Sequence, residues 1–178
     1  MTNPQPNIQI ISLKPEQWQE YKKLRTEMIS ADYNPFGWSV EEISILSDEQ
    51  WQDIAKGHKR YATIDNQIVG MIQLWLNTKI KTRHIASIGS VYVQPQYRGR
   101  GIAKLLLEDI QNYVQSQGVE ILSLTVAKDY VSAVNTYQKF RFIKVGDLPK
   151  SLKYKGIYYD EIQMQKKLNN KLKIKNYY

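Results

Sequence analysis

Cysteine is absent from this chain, and histidine occurs only at His58 and His84. The first absence excludes disulfides, thiolate metal sites and a cysteine nucleophile, and it fits a reducing compartment. Two isolated histidines lack ligand spacing, so no metal site is read. No apolar run approaches the roughly 20 residues of a membrane-spanning helix. The stretch Met1-Thr2-Asn3-Pro4-Gln5-Pro6-Asn7 has no basic region followed by an apolar one. No signal peptide is read, and the expected compartment is the cytoplasm. Acids are also sparse: 17 Asp and Glu stand against 25 Lys and Arg, a net charge of +8. Five of those charges are Lys166, Lys167, Lys171, Lys173 and Lys175, in a tail without acids. The remainder is +8 − 5 = +3, so the basicity is largely local. Such a tail reads as a solvated end. A nucleic-acid surface would interleave aromatics with folded basic groups, and Tyr177 and Tyr178 are a thin version of that. Nucleic-acid binding through the tail is kept as an alternative; no membrane partner is expected.

What is present is ordinary globular composition, 42% hydrophobic and 11% aromatic over 178 residues. That is enough for one domain with a real core. We place the domain at residues 1–165, with 166–178 as a flexible basic tail. Ile8 to Leu13 reads as a strand. Pro15 suits a helix first turn, and Trp18, Tyr21, Leu24 and Met28 mark one face of that helix. Ser39-x-x-Glu42 and Ser47-x-x-Gln50 are capping-box patterns. His58–Ile64 and Gln67–Leu76 read as a hairpin turning at Asp65-Asn66. Arg83 to Val93 is the next strand, and Gly118 is the expected C′ residue of the helix that follows. The order implies an α+β fold, with a central, mostly antiparallel sheet flanked by helices. The strand-helix-strand around Gly101 is its one parallel crossover.

The most informative stretch is Val91-Tyr92-Val93-Gln94-Pro95-Gln96-Tyr97-Arg98-Gly99-Arg100-Gly101-Ile102-Ala103. A β-type run ends at Val93 and a proline turn follows. Two glycines then open a helix whose apolar residues Ile102, Leu105, Leu106, Ile110, Tyr113 and Val114 keep helical spacing. A helix start offers unpaired N–H groups and a positive dipole end. Glycines there admit a bulky anion, and Arg98 and Arg100 add positive charge. The P-loop is excluded because no Lys-Ser/Thr pair follows, and the dinucleotide fingerprint because Lys104 stands where its third glycine belongs.

Gln96-x-x-Gly99-x-Gly101 resembles the acetyl-CoA loop of the GNAT superfamily of N-acetyltransferases. A second segment, Ala133-Val134-Asn135-Thr136-Tyr137-Gln138-Lys139-Phe140-Arg141-Phe142, is similar to that family's A-I-x-L-Y-x-K-x-G-F segment. A weaker match is Gly156 to Met164, similar to the last strand of many members. Two departures stand out: Tyr130 replaces a usual Asn, and Arg141 replaces a Gly. The second implies a different turn into the following strand.

The resemblance implies acetyl-CoA as co-substrate, no metal, and transfer of the acetyl group to a primary amine. The amine acceptor is a small molecule, a peptide or protein N-terminus, or a lysine. Backbone groups of Arg98, Gly99, Arg100, Gly101, Ile102 and Ala103 would face the pyrophosphate. Those of Val91, Tyr92 and Val93 would hold the pantetheine arm, and Tyr137 would protonate the leaving thiolate. Ser87 occupies the position of the usual carboxylate base. Asp32, Glu41, Glu42, Glu161, His84 or solvent are the substitutes considered. Tyr33, Phe36, Trp38 and Tyr159 are expected to wall the acceptor pocket, with Asn34, Gly37 and Tyr158 near them. An acyl-CoA-binding protein with lost or altered catalysis is the nearest alternative, and monomer and homodimer are both left open.

Overall fold

The structure is a computed structural model that describes residues 7–31 and 36–168. Its elements are β1 (Ile8–Ile11), α1 (Trp18–Ile29), α2 (Val40–Ser44), α3 (Asp48–Ala55), β2 (His58–Ile64), β3 (Gln67–Leu76) and β4 (Ile85–Val93). Then come α4 (Ile102–Ser116), β5 (Ile121–Ala127), α5 (Val131–Lys139), β6 (Ile143–Tyr154) and β7 (Ile157–Lys167). The strands form one sheet in the order β1-β2-β3-β4-β5-β7-β6. It is mostly antiparallel. The parallel pair is β4 with β5, Ile85 lying opposite Ile121 and Ser87 opposite Ser123, so β4-α4-β5 is the crossover the sequence implied.

The chain packs as two compact units. One holds residues up to Leu74 together with Gly89–Leu107; the other holds Trp75–Ile88 and the residues from Glu108 onward. In the first unit, α1 buries Tyr21, Leu24, Met28 and Ile29 in a cluster with Ile43, Trp51, Tyr61, Met71 and Tyr92. Tyr21 and Trp51 meet edge to face at 6.1 Å, a geometry that adds about 1 kcal/mol to their burial. Ser39 and Ser47 accept from the amides of Glu42 and Gln50, and those side chains reach back, so α2 and α3 begin on full capping boxes. The β2–β3 hairpin turns through Asp65 and Asn66 at φ +49° and +64°, the left-handed pair of a two-residue turn. β4 begins at Ile85 rather than Arg83. The amides of Thr82, Arg83 and Ile85 are drawn into turns on Lys79 and Thr82 carbonyls instead of a ladder.

In the second unit, β7 pairs with β5 from Ile121↔Lys167 to Ala127↔Glu161 and with β6 on its other side. The hairpin between β6 and β7 turns at Lys155-Gly156, φ +48° and +83°. The basic tail expected from residue 166 does not start there. Lys166 and Lys167 are the last residues of β7, and Leu168 is buried, its amide donating to Glu120 O at 2.7 Å. Lys166 Nζ sits 3.8 Å from the Phe140 ring centre and donates to Gln111 Oε1. The alkyl stems of such lysines pack while the ammonium finds a π face, which composition alone does not reveal. Residues 169–178 lie outside the described residues.

Two helix ends in this unit follow one design. At the end of α4, Gly118 N–H bonds Gln115 O and Val119 N–H bonds Val114 O, with Gly118 left-handed at φ +78°. At the end of α5, Arg141 N–H bonds Gln138 O and Phe142 N–H bonds Tyr137 O, with Arg141 at φ +68°. Both are Schellman motifs. The expected different turn at Arg141 is therefore not found. The chain keeps the glycine-type conformation with an arginine in it, because the paired bonds and the Tyr137–Phe142 ring contact at 5.8 Å over-determine it.

Candidate functional site

The first unit carries the loop. After β4 a 3-10 turn at Pro95–Tyr97 leads to Arg98, whose amide is taken by Pro95 O and whose Nε donates to Val93 O at 3.0 Å. Gly99 and Gly101 both stand at φ +77°, and a Cβ on either would meet nothing within 4 Å. The glycines thus serve a left-handed path beside open space. The Leu105 amide bonds back to Gly101 O at 3.1 Å. The amides of Ile102 and Ala103 precede it and are offered at the positive end of the helix. Arg100 lies over the Tyr97 ring at 5.3 Å and donates to Gln96 O, so both arginines are tied to the loop they charge. The residues present fit a pyrophosphate through backbone donors and flanking guanidinium groups.

β4 supplies Val91, Tyr92 and Val93, of which Tyr92 and Val93 are buried. Their side chains pack, and the Val93 carbonyl already accepts from Arg98 Nε. The structure adds neighbours that sequence reasoning missed. Glu27 of α1 accepts from Tyr92 Oη at 2.9 Å and from Gln94 Nε2 at 2.6 Å. Arg25, one turn from Tyr21, donates from Nη1 to Ser90 Oγ at 2.7 Å. Ser90 is left-handed at φ +50° inside the strand. A signal for Arg25 was available, because a charged residue falls on the apolar stripe of α1 between Tyr21 and Met28. None existed for Ser90. Of the acceptor-wall candidates, Phe36 packs against the core cluster and Trp38 is exposed; Tyr33 and Asn34, and the base candidate Asp32, lie outside the described residues.

The second unit carries Tyr137, buried on α5 with Phe142 edge-on to its ring. Burial, and to a lesser degree the neighbouring Tyr130, push its hydroxyl above the ordinary tyrosine value. It therefore keeps its proton at neutral pH, the state a general acid requires. Tyr130 is the N-cap of α5 and supplies no side-chain cap; its carbonyl accepts from Ala133 and Val134 amides. Tyr159 is half-buried opposite Leu152 in the β6–β7 hairpin. Glu161 accepts from Ser151 Oγ at 2.8 Å. Ser87 pairs with Ser123 in the ladder. In the first unit, Glu42 is engaged in its capping box. Among the described residues, no group of three or more His, Asp or Glu is placed to hold a metal, and no helix is long and apolar enough to cross a membrane.

Comparison with known proteins identifies the family. Residues 18–142 match the sequence model of the Acetyltransferase (GNAT) family. The chain is 27% identical over 124 residues to a mycothiol acetyltransferase of Nocardia farcinica, covering 67% of this chain and 40% of that protein. It thus spans about two-fifths of the length of that relative. It is 28% identical over 126 residues to the L-amino acid N-acetyltransferase AaaT of Escherichia coli, covering 66% of this chain and 75% of that one. Among solved structures, a GNAT-family acetyltransferase from Streptococcus pneumoniae superposes with a TM-score of 0.78 at 21% identity, over 91% of this chain and 99% of that one. With the family match covering well over half its length, the chain belongs to the Acetyltransferase (GNAT) family.

Proposed function

We propose that this chain moves the acetyl group of acetyl-CoA directly to a primary amine. The observation that carries the reading is the loop. Gly99 and Gly101 are left-handed beside open space at the start of α4, a cradle that a pyrophosphate needs and a mere strand-helix turn does not. In the transfer, an N–C bond forms to the acetyl carbon and the C–S bond breaks. The amine loses a proton and the departing sulfur gains one. The amides from Gly99 to Ala103 bind the pyrophosphate, and the backbone of Val91–Val93 orients the pantetheine arm. Tyr137, neutral and buried, donates the proton to sulfur. Ser87 offers no carboxylate base, so the amine's proton leaves through solvent or another group. The acceptor class follows the relatives: a small amine such as an amino acid, or a peptide or protein amine.

The experiment is Tyr137→Phe, assayed by thiol release with acetyl-CoA and a panel of amines. The rate should fall by roughly 10²-fold, within the range of general acid catalysis. Acetyl-CoA affinity and melting temperature should change little, since the ring packing is kept. A variant within twofold of the parent, where chemistry limits turnover, removes Tyr137 from the mechanism.

A further inference from the structure

Arg25 is the anomaly of the first unit. Only 6% exposed, it lies on the apolar stripe of α1. Its guanidinium bonds Ser90 Oγ at 2.7 Å, with Met28 Sδ at 3.9 Å as its other acceptor. A guanidinium carries five N–H donors and keeps its charge in proteins. Among the described residues, no carboxylate forms an ion pair with it. Tyr21, one turn back, leaves its buried hydroxyl without a partner among the described residues. Lys59 of β2 is a second buried cation that feels the Arg25 charge. The nearby Glu27 carboxylate is taken up by Tyr92 Oη and Gln94 Nε2 and forms no ion pair with Arg25. A buried charge without a counter-charge is costly to keep.

The second oddity meets the first at the same bond. Ser90 stands at φ +50° within β4, a conformation that L-residues adopt in a strand only when the structure around them enforces it. Arg25 Nη1 is the donor to the hydroxyl of that residue. The next residue is Val91, whose backbone the functional reading gives to the acyl-pantetheine arm.

We propose that Arg25 is a positioning residue for acetyl transfer. Through its bond to Ser90 Oγ it fixes the left-handed turn of β4 just before Val91, and it sets a buried positive charge behind that backbone, one without a carboxylate ion pair among the described residues. As the amine attacks, the thioester carbonyl oxygen gains negative charge. A fixed cation in a dry interior stabilises that charge more than it stabilises the ground state. The cost of burying the charge is then retained because it lowers the barrier. This inference rests on the reading of Val91–Val93 as the strand that receives the thioester.

The test uses the full chain with acetyl-CoA and an accepted amine, with thiol release for rates and calorimetry for acetyl-CoA affinity. Arg25→Met, which keeps apolar volume and removes the charge, should lower kcat at least tenfold. Its acetyl-CoA affinity should stay within threefold of the parent. Arg25→Gln, a neutral donor, should fall similarly, whereas Arg25→Lys should recover to within fivefold of the parent. Equal losses in Lys, Gln and Met would show that the charge has no part and would overturn the inference. So would an unchanged kcat in Arg25→Met. If Arg25→Met gives no cooperative melt, Ser90→Ala replaces it, cutting the tie while leaving the cation. A kcat at least fivefold down at unchanged acetyl-CoA affinity supports the inference; the parent rate overturns it. A parent that releases no thiol with any amine overturns the functional reading and this inference together. An active parent indifferent to Arg25 overturns this inference alone.

Discussion

Replacing Arg141 by glycine should make the protein more stable, although it deletes a whole side chain. Arg141 closes α5 at φ +68°, where a Cβ meets the following carbonyl and costs about 1–2 kcal/mol. Glycine removes that cost but brings extra freedom to the unfolded chain, which returns roughly 0.5–1 kcal/mol. The net gain is about 0.5–1 kcal/mol. A smaller favourable contribution comes from Lys166, whose ammonium is disfavoured mainly by burial and secondarily by the nearby Arg141 charge. For a chain of this length, that corresponds to a rise of about 1–4 °C in melting temperature. Thermal melts and urea titrations of parent and Arg141→Gly provide the measurement. Gly118→Ala is the mirror experiment, because it puts a Cβ into the same Schellman position at φ +78°; it should lose about 0.5–1 kcal/mol. An Arg141→Gly variant less stable than the parent would refute the strain account. It would mean that the arginine side chain makes contacts worth more than the conformation costs.

Two further outcomes follow from the loop and from the buried lysine. Gly101→Val introduces a β-branched side chain at φ +77° in the space beside the helix start, so acetyl-CoA affinity should fall at least tenfold with the melt retained; calorimetry showing parent affinity would refute the cradle. Lys59 donates to the carbonyls of Ile54, Ala55 and Lys56, yet burial, with the Arg25 charge secondary, lowers it to about 8. Between pH 8 and the ordinary lysine value the unfolded chain binds the proton more tightly, so stability should rise with pH across that window. Tyr21, Tyr61 and Tyr137 are raised by burial, so their contribution is lost above pH 10 and the curve turns over. Urea midpoints from pH 7 to 10 should show the rise in the parent and not in Lys59→Met; a flat parent curve would refute it.

What the chain declares in advance is what local chemistry decides alone. The β2–β3 hairpin lies at His58–Ile64 and Gln67–Leu76 as read, because two apolar-rich runs joined by an Asp-Asn turn leave few other conformations. Ser39-x-x-Glu42 and Ser47-x-x-Gln50 form their caps for the same reason: each box is satisfied within four residues. The glycine loop was legible because only glycine takes a left-handed path beside a ligand-sized space without penalty. Where the reading failed, the deciding partner was remote in sequence, or, at Arg141, a set of local bonds that no residue type announces. Lys166 belongs to a strand, not to a tail, since Gln111 and Phe140 receive its ammonium. Arg141 holds a glycine conformation because two backbone bonds and a ring contact leave it no alternative. Arg25 and Ser90 are 65 residues apart, and neither residue type in its own neighbourhood announces the other. The periodicity of α1 held an unused signal, a charged residue on a buried face, whereas strand alternation was blind to the inverted backbone at Ser90. Those two positions break the local rules, and they meet immediately before the strand segment assigned to the thioester. Sequence logic fails where tertiary structure imposes backbone strain and buries a charge, and local rules are most often broken at such positions.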